Sequence, residues 1–149
     1  MSIALHDFMR TTVENLPHCK KLGLKFDNLE QGKGRMRLSP RPELICNPAK
    51  NLLHSAIVTT LLDTLCGTVA SSIYPEGRTV ATLDLRLDHL TPACADSPLY
   101  AEAECFHFDD DIAFVRGFAW QGEEQRQLTT ALGSFKTNGH FQLQAGEEQ

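Results

Sequence analysis

The run from Leu53 to Ile73, LHSAIVTTLLDTLCGTVASSI, constrains the fold of this chain more than any other feature. It has no breaker except Gly67, and it is stopped by Pro75 and Gly77. A helix of about twenty residues this apolar must be surrounded by protein on most sides. One residue disturbs the pattern. Asp63 sits at the centre of the run, although Asp is a poor helix-interior residue and is almost never buried without a partner. No Lys or Arg lies between Lys50 and Arg78, so no local ion pair can neutralise it. Burying an unpaired carboxylate costs several kcal/mol or more. Asp63 therefore either reaches solvent at an edge or is kept for chemistry.

The flanking sequence says what could surround such a helix. Ile3, Leu5, Phe8, Met9 and Val13 fall at near-helical spacing over residues 2–15, and Pro17 is expected to end that helix. GLKFDNLEQGKGRMRLSP reads as a hairpin turning at Gln31-Gly32-Lys33-Gly34. Pro40, Pro42 and Pro48 mark a loop. After the long helix the period changes to two. Ala81, Leu83, Leu85, Leu87 and His89 alternate with Val80, Thr82, Asp84, Arg86 and Asp88, as expected of a strand with one buried face. Three further strands are predicted at Leu99–Phe108, Ile112–Trp120 and Gln127–Thr137, with turns short enough to make them antiparallel neighbours. One antiparallel sheet wrapped around one central helix satisfies this order, an α+β architecture.

At 149 residues the chain is expected to form one domain, with the N-terminal helix at about 2–15 and a core at about 20–137. A net charge of −5 argues against nucleic acid as a partner. No stretch is apolar for long enough to span a membrane, and the N-terminus lacks the apolar core of a signal peptide. Five cysteines without a C-x-x-C pair suggest reduced thiols and a cytoplasmic protein. The six histidines are scattered, so no metal site is expected.

Two stretches carry a family resemblance. NPAKNLLHSAIVTTLLD resembles the pattern Asn-Pro-x-Gly-x-x-His-Gly-Gly, six residues, Asp, and TLDLRLDHLTPA resembles T-x-D-x-x-x-x-[FY]-x-x-P-A. Together, over about residues 20–137, they resemble the hotdog-fold acyl-CoA thioesterases of the phenylacetate-degradation (PaaI-like) type. The resemblance implies the hotdog fold and hydrolysis of a thioester to a free acid and a thiol, without a cofactor. It implies an acyl-CoA or acyl-carrier thioester as substrate. Asp63 falls on the catalytic carboxylate, acting as general base or nucleophile. Ser55 falls on the residue whose backbone N–H holds the thioester carbonyl oxygen, where orphan N–H groups and the helix dipole favour a developing oxyanion. Thr82 falls on a Ser/Thr that orients the carboxylate or water, expected to come from the partner subunit. Asn47 and His54 fall on substrate-binding or positioning residues, although one extra residue separates Asn47 from His54. Ser55 is also a good N-cap residue in its own right. A homodimer or homotetramer is implied, and an exposed sheet edge asks for the same.

The chain departs from the pattern in three places. Gly-Gly after the histidine is Ser55-Ala56, the strand aromatic is His89, and a turn that carries a base in many relatives is Asp109-Asp110-Asp111. Carboxylates there would repel the phosphates of CoA. The alternative function is therefore a non-catalytic hotdog module that binds an acyl-CoA or a related ligand. A hydratase is a weaker third option, because no hydratase His/Asp motif is visible.

Overall fold

A computed structural model describes residues 3–141. Two helices come first, α1 (Ile3–Glu14) and α2 (Pro17–Leu22), followed by the hairpin β1 (Lys25–Glu30) and β2 (Lys33–Leu38). A 3-10 turn (Pro42–Leu44) and the short pair β3 (Ile45–Asn47) and β4 (Leu52–Leu53) lead into α3 (Ser55–Ser72). Four strands complete the chain: β5 (Arg78–His89), β6 (Leu99–Phe108), β7 (Ile112–Gln121) and β8 (Arg126–His140). Pro17 does more than end α1. It occupies the first turn of α2, where its missing N–H has no intrahelical partner to lose.

The main sheet is antiparallel throughout, in the order β1-β2-β6-β7-β8-β5. α3 lies across its inner face against β2, β5, β6 and β7. Leu61, Leu62, Leu65, Cys66 and Val69 of the helix are fully buried. This is the sheet wrapped around a helix expected from so apolar a run, and it is the hotdog fold that the resemblance implies.

What lets the helix sit close is a row of small side chains. The register aligns Gly34 with Ala103, Ala103 with Gly117, and Gly117 with Ala131. A Cβ at Gly34 would come within 3.1 Å of both Leu65 and Val69, and one at Gly117 within 3.4 Å of Cys66 Sγ. At Gly117 it would also come 2.8 Å from the Glu102 carbonyl oxygen, so only glycine fits there. Bulkier residues are kept for the ends of the helix. Phe135 on β8 is 1% exposed and lies under Gly67, where a Cβ would stand 3.6 Å from the ring, in ordinary contact. Phe135→Ala should empty that space and cost about 3–5 kcal/mol, measured as a lower midpoint in urea with an unchanged slope.

Both ends of the fold are tied by polar contacts. The Ser72 hydroxyl accepts the Gly32 N–H at 2.9 Å and donates to the Val69 carbonyl at 2.8 Å, fixing the end of α3 to the β1–β2 turn. α1 buries Met9 and Val13, and its Glu14 carboxylate accepts the Phe26 N–H of the edge strand β1 at 2.8 Å.

β5 departs from simple alternation. Its register against β8 shifts between Thr82 and Asp84, so Leu83 is an extra residue in a bulge and stands 55% exposed. The shift reverses parity along the strand. Val80 lies before it and Leu85 and Leu87 after it, yet all three pack against the core.

Candidate functional site

The site begins at the first turn of α3. His54 is the N-cap, in extended backbone (φ −69°, ψ 138°), and its Nδ1 accepts the Ala56 N–H at 3.0 Å. Ser55, the better cap by residue type, is instead the first helical residue. A histidine that accepts at Nδ1 is neutral and carries its proton on Nε2. The Ile57 N–H is taken by the His54 carbonyl at 3.0 Å. The Ser55 N–H has no acceptor among the described residues. It is an exposed donor at the positive end of an 18-residue helix.

Asp63 lies two turns further on, half-buried, on the face of α3 that the sheet leaves uncovered. That face runs Ser55, Ala56, Thr59, Thr60, Asp63 and Thr64, each exposed or half-buried. The Thr59 and Thr60 hydroxyls donate to the Ser55 and Ala56 carbonyls rather than to Asp63. Asp63 Oδ1 accepts instead from Thr82 Oγ1 at 3.0 Å. This contact forms within one chain, which corrects the expectation that Thr82 reaches the carboxylate of a partner. The bulge in β5 supplies the reason: it keeps Thr82 on the helix-facing side of a strand whose later core residues have the opposite parity. Among the described residues no cation pairs with Asp63. One oxygen is held by a neutral hydroxyl, and the other has no hydrogen-bond partner among the described residues.

The remaining candidates lie apart from this pair. Asn47 Oδ1 accepts the Lys50 N–H at 3.1 Å in the β3–β4 loop, and no hydrogen bond among the described residues joins it to Asp63. Cys66 is fully buried beside Asp63 in sequence. Burial first, and then the Asp63 charge, push its thiol up to about 12, so it is no nucleophile at neutral pH. The acidic turn has a structural use. Asp109 Oδ1 accepts the N–H groups of Asp111 and Ile112, both at 2.8 Å, and these bonds hold its carboxyl below the usual range. Asp111 lies 4.0 Å from Lys136, and the Asp110 carbonyl accepts from Arg78. His89 Nδ1 stands 3.0 Å from Thr129 Oγ1, a contact across 40 residues that no local pattern announces.

The profile of the thioesterase superfamily matches residues 50–127, which spans α3, the Asp63–Thr82 pair and the strands up to β8. The chain belongs to that superfamily. An unproven esterase of Halobacterium salinarum is 34% identical over 124 residues, covering 77% of this chain and 80% of its own length. The medium/long-chain acyl-CoA thioesterase YigI of Salmonella typhimurium is 26% identical over 136 residues, covering 83% and 86%. Among solved structures, a Pseudomonas aeruginosa protein superposes with a TM-score of 0.77 at 32% identity, over 90% of this chain and 99% of that one. The E. coli PaaI protein of the phenylacetic acid degradation operon superposes with a TM-score of 0.80 at 18% identity, covering 93% and 98%, and shares the fold. Within the superfamily, a chain carrying an uncommitted helix N–H and a hydroxyl-held carboxylate on one helix has the parts for thioester hydrolysis.

Proposed function

We propose that this protein hydrolyses acyl-CoA thioesters with Asp63 as general base. The observation that carries this reading is the Thr82–Asp63 hydrogen bond on the uncovered face of α3. Thr82 fixes one carboxylate oxygen and leaves the other to take a proton from water. The water oxygen bonds to the thioester carbonyl carbon, and the carbonyl oxygen becomes an oxyanion. The Ser55 N–H and the dipole of α3 stabilise that charge. When the tetrahedral adduct collapses, the C–S bond breaks and the departing thiolate takes the proton held by Asp63.

We infer that the two groups come from different copies of the chain. Eight residues separate Ser55 from Asp63, about 12 Å along the helix axis. A carbonyl about 3 Å from the donor, attacked by a water about 3 Å from the base, spans less than that. A two-fold dimer with its axis opposite Thr59, midway between them, sets Ser55 of one copy beside Asp63 of the other, twice. The uncovered helix stripe suits close approach, since its hydroxyls are already satisfied internally. β5 supports the same arrangement: it is the sheet's edge, twelve residues long, with Leu83 55% exposed on it and Leu90 60% exposed just beyond.

Thiol release from short, medium, long and aryl acyl-CoAs, with light scattering on the same sample, tests the proposal. Turnover of at least one substrate by a dimer or a larger even assembly is expected. A fully active monomer would overturn the two-copy site. Tight acyl-CoA binding without any thiol release would favour the non-catalytic module.

A further inference from the structure

Behind the first turn of α3 lies a recess of about 170 Å3 that the reaction above does not use. Leu53, Val58, Leu90 and Ala93 form its apolar walls, His89 and Thr129 add a polar one, and Ser55 also lines it. Backbone hydrogen bonds fix these walls. The Leu53 N–H donates to the Ala93 carbonyl at 2.9 Å, and the Leu90 and Thr91 N–H groups converge on the Leu128 carbonyl at 2.7 and 3.1 Å.

The chemistry of the polar wall follows from burial. Thr129 is 1% exposed, and among the described residues its hydroxyl meets only His89 Nδ1, at 3.0 Å. Were the imidazole the donor, the hydroxyl proton of Thr129 would be buried without an acceptor, which is costly. Thr129 therefore donates to Nδ1, and the ring proton of His89 sits on Nε2. No Lys, Arg, Asp or Glu lines the recess, so a charged guest would have no counter-charge. A cavity of about 150 Å3 holds a benzene ring, so about six carbon-sized atoms fit here. The thiol half of the substrate must run on to its carrier, which leaves a space this small to the acyl half.

We propose that this recess is the acyl subsite, and that His89 Nε2–H selects acyl groups of about six heavy atoms bearing a neutral oxygen, keto or hydroxyl, near the far end. The inference rests on the reading that the Ser55 N–H holds the thioester carbonyl. Histidine stands where the resemblance expects an aromatic, and the change adds a ring N–H donor facing the apolar side chains of Leu53, Val58, Leu90 and Ala93.

Steady-state thiol release should be compared for hexanoyl-CoA, 5-oxohexanoyl-CoA and dodecanoyl-CoA. Wild type should favour 5-oxohexanoyl over hexanoyl about tenfold in kcat/KM, the worth of one hydrogen bond to a neutral group. Dodecanoyl-CoA should be the poorest of the three. His89→Phe, a ring without a donor, should abolish the keto preference. His89→Gln, whose amide N–H reaches about as far as Nε2, should retain it. Equal use of the keto and plain substrates by wild type, or a phenylalanine variant that keeps the preference, overturns the role of His89. A preference for dodecanoyl overturns the recess as the acyl subsite. Each of those results leaves Asp63-dependent hydrolysis standing, whereas failure of wild type to release thiol from any acyl-CoA removes both readings together.

Discussion

Asp63→Asn should lower kcat on the best acyl thioester by about 10²–10⁴-fold while leaving the melting temperature close to wild type, the loss expected when a general base is removed. The two halves of this expectation have separate causes. Asparagine keeps the shape of the side chain and can still accept from Thr82 Oγ1 at its amide oxygen, so the 3.0 Å contact between α3 and β5 survives. It has almost no proton affinity, so it can neither activate water nor attack a carbonyl. Stability should not suffer. Asp63 is half-buried with no cation paired to it among the described residues, and removing an uncompensated charge relieves desolvation rather than breaking an ion pair. A variant that melts like wild type and turns over at an undiminished rate would falsify the catalytic reading of Asp63. A loss of turnover that merely follows a loss of folded protein would assign the residue to structure.

Ser55→Pro should cost about 10²–10³ in kcat, the range for losing one oxyanion donor. Proline removes the N–H and little else at this position. Ser55 is the first residue of α3, where proline is favoured, and its side chain is exposed. The preceding residue is already suited to it, because His54 at φ −69° and ψ 138° has the extended backbone that a following proline demands. The variant also permits a sharper experiment. In a dimer of one Ser55→Pro chain and one Asp63→Asn chain, one site combines an intact Ser55 N–H with an intact Asp63, and the other carries both lesions. Such mixed dimers should recover about half the wild-type turnover, although each parent keeps at most about a hundredth of it, as two-fold symmetry requires. No recovery after subunit exchange, with exchange verified by mass, would place both groups in one chain and overturn the two-copy site.

Much of the architecture was legible from periodicity. The unbroken apolar run became α3, and Leu99–Phe108 became β6 with the same ends. Local pattern records which faces of an element are buried, and for α3 every face but one had to be. The catalytic candidate was legible for a related reason: a carboxylate with no Lys or Arg anywhere between Lys50 and Arg78 stands out against Leu, Ile and Val. The fold family was implied by the resemblance that His54, Asp63, Thr82 and Pro92 carry, and the superfamily match agrees.

Other features were settled only by tertiary contact. Strand alternation along β5 implied one continuous buried face. The bulge at Leu83 divides that face, leaving Thr82 toward the helix before it and Leu85 and Leu87 toward the core after it. Residue preference named Ser55 as the cap, yet the chain entering from β4 leaves His54 in the extended conformation with Nδ1 over the Ala56 N–H. The row Gly34, Ala103, Gly117 and Ala131 draws one residue from each of four strands, and the His89–Thr129 contact joins two strands 40 residues apart. The sequence by itself determined the long apolar helix, the hairpin and the four long strands, and which carboxylate has no cation nearby along the chain, because those follow from interactions over a few residues. Register, close approach and the capping geometry were decided by the assembled sheet and helix, because they depend on distances between residues that are remote along the chain.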